Sequence, residues 1–388
     1  METADAVIIG GGVIGTSIAY RLAETNRKVI LIEKGEIGAQ TSGACDKAIF
    51  LQSKKPGFPI QLAKASRDVY ENLEEELETS VEFKKGGGMV VIEEEGHLDF
   101  MKEFVLKQKN AGIDVTLLDR REALERQPCL SPDIVGSTYS KEDAEVNPLL
   151  LSQAFAEGSK RRGVEIRTHT TVIGIDCEHG RVVGVQLTDG YIWTELVINA
   201  AGPFASKIAN MAGVDLTIRP RRGVILISER VKQIVNGSIL CSQYIAAKHL
   251  TNRNDKKEPP FGIGLSLGQT ESGNLLIGGS REFKGFDKSV ELSILSAIAS
   301  HASRIVPSLN SIQIIRSMVG FRPFTSDGLP IVDESHVKGF VIAAGHEGDG
   351  ICLAPITGHL VTSLVEKQMH YKDLLEPLKL DRLHTVSS

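Results

Sequence analysis

Near its start the chain runs through four apolar residues, Ala6–Ile9, and breaks into Gly10-Gly11-Gly12-Val13-Ile14-Gly15. An amphipathic stretch to about residue 24 follows, then a second apolar run, 28–32, that ends on Glu33. Few folds satisfy this pattern. Strand, glycine turn, helix, strand and acid fall at the spacing of a βαβ dinucleotide-binding unit. Gly10 allows the tight turn, Gly12 lets backbone approach a pyrophosphate, and Gly15 lets helix and strand pack closely. The phosphates then face the helix N-terminus, with Val13 and Ile14 in its first turn, where unpaired N–H groups favour an anion. Glu33 can accept a hydrogen bond from a ribose 2′-hydroxyl but would repel a 2′-phosphate, which favours NAD or FAD over NADP.

With 388 residues the chain is long enough for two domains. A formal net charge of −5 supplies no basic field, so nucleic acid is not expected as a partner. No apolar run approaches the ~20 residues that span a bilayer, so no transmembrane segment is expected. The acidic start, residues 1–5, leads into the first strand without a signal-peptide pattern. Five scattered cysteines form no C-x-x-C and no Cys/His cluster at ligand spacing, so the expectation is reduced thiols, a cytoplasmic setting and no metal site.

After Glu33 and Lys34, the loop 34–46 is rich in small residues, among them Thr41, Ser42, Gly43 and Ala44, and can lie flat against a ligand. Apolar spacing predicts helices over 60–78, 97–111, 149–162, 292–305 and 351–369, and a short charged helix over 120–127. Residues 81–93 read as a strand pair around Gly86-Gly87-Gly88. Short strands are expected at 113–118, 164–166, 171–176, 182–187, 192–199 and 339–344. From 221 to 281 the pattern is strand-like, with Tyr244 in a strand and a charged loop near 252–258. The strand before Asn199 breaks into Ala200-Ala201-Gly202, and the strand before Gly345 into His346-Glu347-Gly348-Asp349-Gly350. Small-residue loops spread over the whole length suit a long cofactor held in an extended pose. The fold class read from this is α/β in two domains. A Rossmann-like cofactor domain built from discontinuous segments (1–80, 145–220 and 318–388) stands beside a β-rich substrate domain (81–144 and 221–317).

The motifs in this order resemble the FAD-dependent D-amino-acid oxidase superfamily, over nearly the whole chain. The similarity is greatest to glycine oxidase, sarcosine oxidase β-type subunits, and hydroxyproline and opine dehydrogenase subunits. It is carried by Gly10, Gly12, Gly15 and Glu33; Thr41-Ser42-Gly43; Val172; Asn199 to Gly202; Gly320-Phe321-Arg322-Pro323; and Gly345 to Gly350. The resemblance implies FAD with its adenosine at the Gly10 turn and Glu33, the Val172 backbone on the adenine, and the flavin between 41–46 and the 345–351 loop. A helix starting near Ile351 would aim its positive end at the flavin edge that gains negative charge. Arg322 holds the family's carboxylate-gripping position, though a structural pairing with Asp327 or Glu347 competes. Tyr244 resembles a substrate-facing tyrosine, against a core position. His346 is either beside the flavin or a hydrogen-bonded structural group. Where monomeric sarcosine oxidases carry a flavin-linking cysteine, residues 322–325 read Arg-Pro-Phe-Thr, so non-covalent FAD is expected. The segment 268–282 looks more like hydroxyproline-type dehydrogenase subunits, which implies partner redox subunits or a homo-oligomer. The implied reaction is oxidation of the Cα–N bond of a small amino acid. A 2-hydroxy-acid or glycerol-phosphate oxidoreductase and an electron-relaying flavin subunit stay open.

Overall fold

The computed structural model describes residues 1–249 and 260–383. The charged loop expected near 252–258 lies outside the described residues. A six-stranded sheet is ordered Ile331–Glu334, Phe340–Ala344, Val197–Asn199, Ala6–Ile9, Val29–Ile32, Glu165–Arg167. All its pairings are parallel except that of the edge strand Ile331–Glu334. Its four central strands are buried throughout, as a parallel sheet covered on both faces requires. Alternate residues divide between two cores. Ile8 and Leu31 face the helix Val13–Leu22, while Val7, Ile9, Ile30 and Ile32 pack with Val172, Val185 and Ala205.

The helix Val13–Leu22 is flanked by Pro148–Arg161 and Gly350–Val365. Pro355 lies inside the latter, where its missing N–H would orphan the Ile351 carbonyl four residues earlier. Tyr70 donates its hydroxyl to that carbonyl at 2.5 Å, and Ser66 Oγ donates to the Cys352 carbonyl at 2.7 Å. The helix Phe58–Tyr70 is thus fastened to the helix Gly350–Val365 at its proline. It stops there, and a separate turn, Leu73–Glu76, replaces the rest of the single helix expected over 60–78.

An eight-stranded mixed sheet runs from the edge Ile314–Phe324 through Arg219–Arg230, Asn274–Gly278, Ser266–Gln269, Ser238–Cys241, Gly88–Ile92 and Gly136–Ser140 to Val115–Asp119. Residues 81–93 form no strand pair. Only Gly88–Ile92 is a strand, and it pairs with Gly136–Ser140 and Ser238–Cys241. The glycines serve close approach instead: a Cβ on Gly237 would lie 2.4 Å from the Gly87 carbonyl oxygen. The strand expected over 192–199 is also divided, Gly190–Trp193 joining a four-stranded sheet and Val197–Asn199 the parallel one. Tyr244 stands in a helix, Ser242–His249, rather than a strand. The chain turns as Ser242 Oγ meets His97 Nδ1 at 2.8 Å, and Ala246-Ala247 favour helix.

Burial pushes three histidines down, His346 to about 3 and His301 and His359 to about 4. Each takes up a proton on unfolding below pH ~6.5 that the folded chain refuses. Asp143 and Glu93, pushed up by burial (Asp143 to about 7), act in the opposite sense. The net reaches about one proton only as the pH nears 5, where the unfolded histidines are almost fully charged. Stability should fall as the pH drops from 6 to 5, with a slope that approaches about 1.4 kcal/mol per pH unit near pH 5. Melting temperatures across that range check this, and a flat profile would contradict it.

Candidate functional site

Four parallel strands, Ala6–Ile9, Val29–Ile32, Val197–Asn199 and Phe340–Ala344, end at one groove with about 1510 Å³ of empty space, its mouth included. Such carboxyl ends are where open α/β sheets hold ligands. Gly10 adopts φ +114°, and a Cβ there would lie 2.5 Å from the Ala200 carbonyl oxygen. A Cβ on Gly15 would lie 1.9 Å from the Gly10 carbonyl oxygen, so helix and turn touch backbone to backbone. Gly12 faces open space apart from Ser42 Oγ, 3.2 Å from where its Cβ would be. The Val13 N–H donates to Ser42 Oγ at 3.0 Å, whereas those of Gly12 and Ile14 donate to no described residue. Glu33 is 8 % exposed; its carboxylate accepts from the N–H of Gly11 at 2.7 Å and of Gly35 at 2.8 Å. That fixes its plane and leaves lone pairs for a ribose hydroxyl. Open N–H groups at a helix start, a bare glycine and an oriented carboxylate fit the pyrophosphate and ribose of FAD.

Farther along the same wall stand Tyr244, Gly320, Arg322, His346 and the start of the helix Gly350–Val365. Arg322 donates to the Ser280 carbonyl at 3.1 Å, and no described carboxylate pairs with it. Its expected structural partners are taken: Asp327 pairs with Arg382 at 2.7 Å and Glu347 with Arg221. Arg222 next to them binds Glu282 at 2.7 Å. Gly223 keeps the space for Arg322, because a Cβ there would lie 2.2 Å from Nη1. Arg281 lies 3.8 Å over the Tyr244 ring. His346 is 2 % exposed, and burial pushes it down to about 3, so it is neutral near pH 7. Thr357 donates its hydroxyl to the Leu353 carbonyl at 2.8 Å, so it must accept from His346 Nε2–H at 3.0 Å. The imidazole has no acidic proton to offer at neutral pH.

The expected residues on the groove wall are Gly10, Gly12, Val13, Ile14, Glu33, Lys34, Thr41, Ser42, Ala44, Val172, Ala200, Ala201, Gly202, Tyr244, Gly320, Arg322, His346, Glu347, Gly348, Gly350 and Ile351. Gly15, Gly43, Gly345 and Asp349 are absent from that wall. Gly15 and Gly43 serve backbone packing, a Cβ on Gly43 falling 2.5 Å from the Gly38 carbonyl oxygen. Gly345 turns the chain at φ +84°, and Asp349 pairs with Lys54. Sequence reasoning missed Phe204, whose ring lies 3.3 Å below Lys34 Nζ, and the Gly223 saddle. Neither had a signal in the sequence. Asp46, the end of the 41–46 segment expected beside the flavin, also lines the wall and accepts from Ser266 Oγ at 2.5 Å.

Away from the groove, Glu93, Cys241 and His301 bring three metal-type ligand atoms within 4.8 Å of one another. A guanidinium only donates, so Arg304 Nη2, 3.0 Å from His301 Nδ1, keeps the proton of the neutral ring on Nε2. Nε2 faces Cys241 Sγ and Glu93 Oε2, each 3.6 Å away, with a hydrogen rather than a lone pair. The cluster reads as a hydrogen-bonded part of the core.

The family model for FAD dependent oxidoreductases matches residues 5–364. The chain belongs to that family. Glycine oxidase of Bacillus subtilis (strain 168) is 27 % identical over 391 residues, covering 98 % of both chains. The hydrogen cyanide synthase subunit HcnC of Pseudomonas aeruginosa is 28 % identical over 411 residues, covering 95 % of this chain and 93 % of its own. Among solved structures, L-proline dehydrogenase from P. horikoshii superposes with a TM-score of 0.87 at 25 % identity, over 98 % of each chain. This FAD-dependent oxidoreductase thus shares the mixed α/β fold of its relatives. Among the described residues no helix is long and apolar enough to cross a membrane.

Gly15→Ala in this oxidoreductase should force the helix off the turn, at a cost of about 1–3 kcal/mol, and weaken FAD retention. The ratio of flavin to protein absorbance after gel filtration, with a melting curve, measures both effects. A yellow variant that melts like the parent would contradict the packing argument.

Proposed function

We propose that the protein oxidises the Cα–N bond of a small amino acid, with secondary amines such as D-hydroxyproline or sarcosine preferred over glycine and D-amino acids. The observation that carries this reading is Arg322, on the groove wall with no described carboxylate, beside Arg221, paired with Glu347, and Arg222, paired with Glu282 and Asp287. A guanidinium kept open in this way suits a substrate carboxylate, which it grips through two parallel hydrogen bonds. The names of the relatives, glycine oxidase and L-proline dehydrogenase, agree in substrate class.

In this reading residues 1–80, 145–220 and 318–388 form the cofactor domain, and 81–144 with 221–317 the substrate domain. FAD is held non-covalently, its adenosine at Gly10, Glu33 and Val172 and its ring between residues 41–46 and 345–351. When bound it accepts the electron pair. Arg322 and Tyr244 fix the carboxylate and so aim the Cα–H at that acceptor. The Cα–H leaves as hydride, nitrogen loses a proton, and the imine left behind is hydrolysed by water. Positioning and a deprotonated amine carry the chemistry, so a neutral His346 is no obstacle. Five cysteines that form no disulfide among the described residues suit a cytoplasmic setting. A relative that is itself a subunit favours partner redox subunits as the second element of the reading.

The purified protein should be yellow and bleach anaerobically with a carboxylated secondary amine. If hydroxy acids bleach it and amines do not, the assignment is wrong. Bleaching of the isolated chain would argue against a purely electron-relaying subunit. Arg322→Ala should raise KM about 30- to 150-fold for carboxylated amines, the loss expected for a charged hydrogen bond of about 2–3 kcal/mol. Gly223→Ala, which crowds the same guanidinium, should raise KM in the same direction while FAD content stays constant. Steady-state kinetics of both variants check this; unchanged KM in both would remove Arg322 from substrate binding.

A further inference from the structure

The start of the helix Gly350–Val365 reaches the groove through Gly348, Gly350 and Ile351. Asp349 occupies its N-cap position, yet its side chain caps no backbone N–H. The carboxylate turns instead to Lys54 Nζ, 2.9 Å away. Lys54 is 4 % exposed. Burial is the largest single influence and opposes its charge, but the adjacent Asp349 carboxylate, together with Cys352 and Tyr244, holds the lysine above its ordinary range, so it stays protonated. A buried ammonium is costly to keep, and helix capping does not explain it.

Charge at the helix end offers a reason. A helix N-terminus carries roughly +0.5 of a charge, and a bare carboxylate at the cap would turn that to about −0.5. With Lys54 beside Asp349 the pair is neutral and the helix end stays positive toward the groove. We propose that Lys54 is a positioning residue for the cofactor's electrostatics: by pairing with Asp349 it keeps the N-terminus of Gly350–Val365 positive and so raises the reduction potential of bound FAD. This rests on the reading above that the flavin ring lies beside residues 345–351. Reduction adds negative charge to the ring, so a positive neighbour favours the reduced form.

The test is the FAD midpoint potential of the purified holoprotein, measured by dye equilibration without any substrate. Lys54→Met should lower the potential by about 30 mV, a tenfold change in the two-electron equilibrium. Lys54→Arg should keep the parent value, and Lys54→Met with Asp349→Asn should return most of the shift. A merely structural lysine would leave the potential unmoved, or move it alike in the single and double variants; either result overturns the proposal. Should Lys54→Met fail to fold, Asp349→Asn alone decides. It should raise the potential, and a value equal to or below the parent's overturns the idea. Amine bleaching tests the substrate assignment separately, because the dye titration needs no amine.

Discussion

The groove exists because residue 15 has no side chain. The Gly10 carbonyl oxygen occupies the place a Cβ of residue 15 would take, so the helix Val13–Leu22 seats directly on the turn that precedes it. That contact sets where the first open N–H groups of the helix point. It also fixes the distance from the turn to Glu33, whose carboxylate the N–H of Gly11 holds at 2.7 Å. On the other side, Gly10 is pressed against the Ala200 carbonyl, which ties the third strand end into the same wall. A dinucleotide site here is mostly backbone, shaped by what glycine allows.

Charge organises the far end of the groove. Arg221, Arg222 and Lys54 are each matched to a carboxylate, while Arg322 meets only the Ser280 carbonyl among the described residues. Placing several cations together is unfavourable unless counter-charges are supplied, and supplying them to Arg221, Arg222 and Lys54 but not to Arg322 leaves a place for an anion. His346, neutral through burial and fixed by Thr357, adds no charge to that balance. The helix Gly350–Val365 can present its start to the groove because Tyr70 and Ser66 take up carbonyls around Pro355.

The opening motif was readable because each of its constraints is local: apolar runs of strand length, glycines at turn positions, an acid at a strand end. The same holds for the small-residue breaks after Asn199 and Ala344. Where local pattern competed with distant partners, the reading failed. The single helix expected over 60–78 ends at Tyr70, which is engaged with Ile351, and residues 81–93 are one strand whose partners lie far along the chain. Tyr244 sits in an apolar stretch that reads as strand, yet the turn at Ser242 makes it helical.

By itself the sequence determined the βαβ entry, the glycine positions and the presence of an arginine in the Gly-x-Arg-Pro stretch, because turn geometry and side-chain period depend on neighbours a few residues apart. Only the tertiary structure decided that Arg322 meets no carboxylate among the described residues, that Gly223 clears its space, and that Lys54 meets Asp349 across nearly three hundred residues. Ion pairing and close backbone approach are set by three-dimensional packing, and no local spacing encodes them.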